Sequence, residues 1–201
     1  MTQHTGMVGI AAVVLAAGRS QRMGEPKLVL PLEGQTVIEK VVGALHEAGV
    51  SEIVVVTGAA EEQVRSALEG TSARMVHNPQ YEKSEMLTSL QTGIRALTAD
   101  AKALLVVLGD QPTIATDVVQ SVVDTYHSHG ALLVVPSYQM RRGHPWLADR
   151  SLWADLLALD ETQTMRDFLN AHAKEIDYVT VDSPGILMDL DTPEDYKRLT
   201  E

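Results

Sequence analysis

The chain has 201 residues, 45% of them hydrophobic, which is enough apolar material for one substantial core and excludes wholesale disorder. Sixteen basic against 27 acidic side chains leave a net charge of −11, which excludes a nonspecific grip on nucleic acid or anionic membrane. With no cysteine, disulfides, thiolate catalysis and cysteine-ligated metals are ruled out, and residues 1–7 with the short apolar run after them are too little for a signal peptide or a membrane span. A soluble, cytoplasmic protein is expected.

In chain order, the apolar run 10–15 predicts a buried strand, followed by a loop rich in small and basic residues. Thr36 predicts an N-cap for a helix whose stripe is Val37, Ile38, Val41, Val42, Leu45 and Ala48, ended by Gly49. A strand at 53–57, a helix at 60–68 and a strand at 73–76 follow. Met86, Leu87, Leu90, Ile94 and Leu97 recur at helical spacing. The run 103–108 is a strand, 117–129 a helix closed by Gly130, and 131–135 a strand. The strand runs lack clean polar alternation, as expected of strands covered on both faces in a parallel sheet. Four strand-helix alternations predict an α/β fold, a doubly wound, mostly parallel sheet with flanking helices in three layers.

Beyond Pro136 the pattern weakens. Residues 137–145 read as a loop over the carboxyl edge of the sheet, 151–159 and 163–171 as helices, and 178–181 and 186–190 as short strands. Thr192 caps a last helix with Pro193 in its first turn and acids near its positive end. The whole chain, 1–201, reads as one domain, with 137–185 as an acceptor-side loop and helical excursion within it.

Three groups of residues carry chemistry. The stretch Leu15, Ala16, Ala17, Gly18, Arg19, Ser20, Gln21, Arg22, Met23, Gly24, Glu25, Pro26, Lys27 puts backbone N–H groups and fixed positive charge at a strand end, suited to a nucleoside triphosphate. It is neither the GxGxxG fingerprint nor a phosphate loop ending in Gly-Lys-Ser/Thr, and glycine is common in ordinary turns. Ala16 and Ala17 leave room for a ligand to approach the backbone; Arg22 and Lys27 can neutralise phosphates; Met23 packs. In Leu108-Gly109-Asp110-Gln111-Pro112 an acid stands just beyond a buried strand, either as a turn cap or as a magnesium ligand, with Gly109 permitting close approach. Asp189 and Asp191 would face one side if their segment is extended, and Asp191 is the one expected to join Asp110 in a cation clamp.

Two weaker signals remain. His77-Asn78-Pro79 and the hydroxyls Ser84, Thr88 and Ser89 are candidates for base or ribose contact, or are caps. Arg141, Arg142 and His144 form either a solvated loop or a site for an anionic acceptor. His4, His46, His127, His129 and His172 have no metal-site spacing, and Trp146 and Trp153 read as packing or loop anchors.

Taken together, these motifs resemble the nucleotidyltransferase family typified by the molybdenum cofactor cytidylyltransferase and its guanylyl-transferring relative. Leu15 through Lys27 is similar to that family's Leu-Ala-Ala-Gly-x-Ser-x-Arg-Met-Gly-x-x-Lys signature, Gly109 to Pro112 to its central metal-binding motif, and Asp189-Leu190-Asp191-Thr192-Pro193-Glu194-Asp195 to its closing motif. Glu85 through Gly93 and Arg142-Gly143-His144-Pro145 match as well, in the expected order. The resemblance implies a Rossmann-like nucleotidyltransferase fold and transfer of a nucleotidyl group from an NTP, CTP first, to the phosphate of a molybdopterin-type acceptor, with magnesium as cofactor and pyrophosphate released. It implies that Leu15 to Ser20, with Ser89 and Gly109, border the nucleotide. Arg22, Lys27 and Asp110 would carry the reaction, Asp110 and Asp191 would hold the metal, and Arg141, Arg142 and His144 would face the acceptor. A molybdenum hydroxylase or its maturation factor would be the protein partner. Glu85 departs from the glycine many members place there, and its charge would disfavour phosphate approach from that side. Two alternatives stand beside this reading: guanylyl or uridylyl transfer to another phosphorylated acceptor such as a sugar phosphate, and a noncatalytic nucleotide- or molybdenum-cofactor-binding delivery protein. A dehydrogenase is disfavoured by the glycine spacing of the first turn.

Overall fold

A computed structural model describes residues 7–82 and 86–201. Small and β-branched residues build β1 (Ile10–Ala16), all seven of them buried. A 3-10 turn at Lys27–Val29 leads to a two-stranded hairpin, β2 (Pro31–Leu32) and β3 (Gln35–Thr36), turned through Glu33 and Gly34, both at positive φ. Thr36 then caps α1 (Val37–Ala48) with a reciprocal capping box to Glu39, and Gly49 ends it in the left-handed conformation. β4 (Glu52–Thr57), α2 (Glu61–Ala67), β5 (Arg74–His77), α3 (Met86–Ala96), β6 (Ala103–Leu108) and α4 (Thr116–His129) continue the alternation. The predicted strands from 10–15 through 131–135 fall within three residues of observed ones, and the helix stripes are largely buried, except that Met86 is exposed and Leu97 lies just past the end of α3.

After α4 come β7 (Leu133–Tyr138), β8 (Arg141–Arg142), β9 (Trp146–Asp149), α5 (Trp153–Ala158), α6 (Met165–Ala171), β10 (Ile176–Thr180) and α7 (Pro193–Thr200). Three expectations fail in this part. Residues 137–145 are not one open loop: β7 extends to Tyr138 and pairs with β8, Ser137 opposite Arg142 and Tyr138 opposite Arg141. The turn between them places Gln139 and Met140 at positive φ, a conformation usually announced by glycine or asparagine, so the hairpin carries no composition signal. The second is 186–190, which is no strand. Pro184–Leu187 is a 3-10 turn, and the segment is held by single bonds to different elements, His144 N–H to the Ile186 carbonyl and Leu190 N–H to the Asp110 carbonyl, rather than by a ladder. The third is β9, a four-residue strand that the sequence did not announce.

The sheet order is β10-β7-β9-β6-β1-β4-β5, with β8 beside β7. All pairings on this path are parallel except those of β9, which runs antiparallel to both β6 and β7. Alternate residues of β1 serve opposite faces. Ile10, Ala12, Val14 and Ala16 join a core with α1, α2 and α4, while Ala11, Val13 and Leu15 join one with α3, α5 and α6. This is a Rossmannoid, doubly wound mixed α/β fold with a mostly parallel central sheet, and the ends of β1 and β6 lie side by side at its carboxyl edge. Among the described residues no helix is long and apolar enough to cross a membrane.

Candidate active site

Where β1 ends, Ser20 adopts φ 50° and shapes the loop that follows. Its carbonyl accepts from the N–H groups of Met23 and Gly24, and its hydroxyl accepts from the Lys27 N–H at 3.2 Å. Met23 is buried and anchors the loop from below, as expected, while Gly18, Arg19 and Arg22 stay exposed. Next door, the Gly109 N–H donates to the Leu15 carbonyl, and a Cβ on Gly109 would lie 2.9 Å from that oxygen, so a side chain there would push β6 away from β1. On the other flank, a Cβ on Gly58 would meet the Ala17 carbonyl at 2.5 Å and Tyr81 Cβ at 2.8 Å. Glycine at the end of β4 therefore lets both walls of the cleft close in.

The cleft has a volume of about 610 Å³. It is lined by the loop from Leu15 to Arg22 with Lys27, by Asp110 and Asp191, and by Tyr81, Met86 and Ser89. Asp191 reaches this point because Leu190 N–H is tied to the Asp110 carbonyl at 2.8 Å and because Asp195 caps the N–H groups of Asp191 and Thr192. Lys27 Nζ donates to Asp110 Oδ2 at 2.5 Å and to Asp191 Oδ1 at 2.9 Å. Arg22 donates to Asp191 Oδ2 at 2.7 Å. Burial works against the charged form of Lys27, but the two carboxylates outweigh it and hold its pKa above the ordinary lysine value. At Asp191 burial raises and the two cations lower, and the cations prevail. Arg19 has no ion pair among the described residues and remains available to an anion.

Other expected residues lie elsewhere. Asp189 is not extended alongside Asp191 into the cleft; it accepts from Gln111 Nε2 at 2.7 Å. Burial, only partly offset by that bond, raises its pKa. Arg142 donates to the Tyr178 hydroxyl and to Asn170, stacking over the Tyr178 ring. Neither Arg141, Arg142 nor His144 is among the cleft-lining residues, and Gly109 supports the floor without lining it. Ser84, Glu85 and His4 lie outside the described residues.

Sequence reading missed Tyr81, Glu82 and Met86 as wall residues. It also missed how Asn78 works: buried, it donates to Ser89 Oγ at 3.0 Å and Thr88 Oγ1 at 3.3 Å while accepting from Gln80 N–H. The signal was the Asn-Pro step closing β5, a turn whose asparagine can bond its own loop.

Burial pushes the His144 imidazole down to about 4. The folded chain therefore keeps it neutral, whereas an unfolded histidine takes up a proton near pH 6.5. Between those values the unfolded state binds more protons, so stability falls as the pH is lowered. Urea unfolding at pH 7.5 and pH 5 should show a loss of about 2 kcal/mol from this residue. His144→Gln should lack that component; an unchanged difference would refute the assignment.

A family model described as the MobA-like NTP transferase domain matches residues 12–176, which contain the cleft loop, Asp110 and the core strands of the sheet. The chain belongs to that family. Within it, the matched domain is of the nucleotidyltransferase type. A nucleotidyl transferase from Methanothermobacter thermautotroptrophicus is 30% identical, with 95% of each chain covered and a TM-score of 0.81. Rv0371c from Mycobacterium tuberculosis H37Rv is 27% identical, covering 96% of this chain and 98% of its own, with a TM-score of 0.84. Among curated proteins, the bifunctional protein GlmU of Francisella tularensis subsp. novicida is 36% identical over 124 residues. That match takes in 59% of this chain but only 26% of GlmU, so the chain spans about a quarter of that relative.

The MobA-like family implies a divalent cation, and the donor set can be tested against it. Among the described residues no group of three or more His, Cys, Asp or Glu could hold a metal. Two hard carboxylates, however, converge on one point, occupied by Lys27 Nζ. Two carboxylates completed by water and phosphate oxygens are the usual magnesium arrangement, so the residues fit.

Proposed function

We propose that the protein transfers a nucleotidyl group from an NTP, with CTP the first candidate, to the phosphate of a small acceptor of the molybdopterin type, releasing pyrophosphate. The observation that carries the transfer reading is the meeting of Lys27, Arg22, Asp110 and Asp191 at the mouth of the β1 loop, drawn together from 169 residues apart in sequence. The base and acceptor rest on the likeness of Gly109 to Pro112 and of Arg142 to Pro145 to the cytidylyl branch.

In this reading the backbone from Leu15 to Ser20, with Arg19, receives the triphosphate, and Ser89 borders the nucleotide. Asp110 and Asp191 would hold magnesium, which would supply charge neutralisation to the phosphates. The related Rv0371c has been crystallised as a complex with manganese, which supports a divalent cation in this family. An acceptor phosphate is already ionised, so the protein need supply no nucleophile or general base. Its task is to hold donor and acceptor in line and to neutralise charge with Lys27 and Arg22 as pyrophosphate leaves. Arg141, Arg142 and His144 are proposed to serve the acceptor side, Arg142 by leaving Tyr178 and Asn170. A maturation factor or molybdenum hydroxylase would receive the product.

A panel of CTP, GTP, UTP and ATP with magnesium and reduced molybdopterin, scored for pyrophosphate and for the linked dinucleotide, tests this reading. CTP should exceed the other nucleotides. Preference for UTP or GTP with a sugar phosphate would replace the acceptor, and tight nucleotide binding without turnover on any acceptor would favour a delivery protein. Arg142→Ala should raise the acceptor KM and leave nucleotide KM near wild type; an equal rise in both would move Arg142 out of the acceptor site.

A further inference from the structure

The Lys27 ammonium stands where a cation is needed. Its Nζ lies 2.5 and 2.9 Å from one oxygen of each carboxylate, so the ammonium sits between the two acids that would hold a divalent ion, at hydrogen-bond distances longer than the about 2.0–2.1 Å of magnesium ligands. The second oxygen of Asp191 is taken by Arg22. Of the four oxygens the pair offers, three are engaged, and two positive charges cancel two negative ones. The two cations offset the pull that the pair would exert on a free divalent ion, while Asp189, which interacts with the same charges, has its own pKa raised by burial.

The anchoring of Lys27 shows how it can yield. Its backbone N–H is fixed by Ser20 Oγ, and its own residue begins the 3-10 turn, so the main chain there is set. The four-carbon stem above it carries the ammonium on rotatable bonds, and the loop that presents N–H groups and Arg19 lines the same cleft. Phosphate oxygens entering that loop compete with Asp110 and Asp191 for the same ammonium.

Building on the nucleotidyl-transfer reading, we propose that Lys27 is an internal stand-in for the divalent cation. In the free protein it fills the site between Asp110 and Asp191, and the site becomes available only when nucleotide phosphates draw Lys27 and Arg22 away. Cation and nucleotide then bind as mutual activators, since whatever either does to the affinity of the other is reciprocal. Free metal ion alone leaves the site closed.

Manganese titration of the nucleotide-free protein, followed by the electron paramagnetic resonance signal of free Mn²⁺, tests this without any turnover. Wild type should bind weakly. Lys27→Met, which keeps most of the stem and removes the charge, should bind about tenfold more tightly or better. Lys27→Gln serves as a second variant should the first fail to fold. Arg22→Met should gain less than about threefold, because Arg22 is exposed and among the described residues pairs with Asp191 alone. Adding Asp110→Asn to Lys27→Met should abolish the gain, which locates it between the two acids. Equal affinities in wild type and both Lys27 variants would overturn the inference, as would a gain that survives Asp110→Asn. Absence of pyrophosphate release in the nucleotide panel would instead overturn the transfer reading alone.

Discussion

Lys27→Met is expected to lower kcat by about 100- to 1,000-fold, the scale at which removing one preorganised charge-stabilising group acts on a transition state. The physical ground is the position of the ammonium: nearly buried, 11% exposed, at the end of the loop that is to receive the triphosphate. Negative charge grows on the departing pyrophosphate, and no other described cation stands as deep in the cleft. Folding should suffer far less. Asp110 and Asp191 retain 22% and 29% exposure and can be rehydrated when their partner is lost. A stability change of about 2 kcal/mol or less is expected. Pyrophosphate release at saturating CTP, beside a urea melt of the same preparation, separates the two. Activity near wild type would remove Lys27 from the reaction, and loss of activity in step with loss of fold would reduce it to a structural residue.

Trp146→Ala should be the most damaging of the substitutions considered for stability. Trp146 is 1% exposed, begins β9, pairs in register with Val106 of β6, and stacks on Phe168 of α6 at 6.0 Å between ring centroids. Truncation leaves a ring-sized hole between the sheet and α6, costing about 3–5 kcal/mol. The thermal midpoint should fall by roughly 10 °C. Trp146→Phe, which keeps a ring against Phe168, should lose clearly less. A midpoint within two degrees of wild type for the alanine variant, at about 2–4 °C per kcal/mol, would show that α6 collapses onto the gap without penalty.

Trp146 also marks where the sequence stops being readable. β1, β4 and β6 are continuous apolar runs because both faces are covered, and α1 shows its stripe, its Thr36 cap and its Gly49 stop; local chemistry and tertiary context agree there. β9 has only four residues, Trp-Leu-Ala-Asp, too short to display a period, and its place is set by partners 40 to 46 residues upstream in β6 and 13 to 15 upstream in β7. The β7–β8 turn carries neither glycine nor asparagine. For 186–190, buried Ile186 and Leu190 imitate a strand, but each is held by a separate loop bond rather than by a neighbour strand. In the site, the β1 loop and Asp110 were legible because charge at a strand end is a local feature, and Asp191 because it borders the Thr192 cap of α7. The Gln111 bond to Asp189, the Asn78 support of Ser89 and the engagement of Arg142 by Tyr178 are long-range, and no spacing announces them.

The antiparallel insertion of β9 bears on how the chain is made. When a nascent chain has emerged only as far as Tyr138, β6 and β7 are both present, yet they share no ladder, since the gap between them belongs to residues still inside the ribosome. The half-sheet of β5, β4, β1 and β6 can assemble from parallel neighbours already available. β7 stays unjoined to that half until the four residues of β9 pair with both sides, and β10 adds to the outer edge of β7 only afterwards. Synthesis thus favours an early N-terminal unit and a late closing step, with the edge of β6 open to stray strand pairing in the interval.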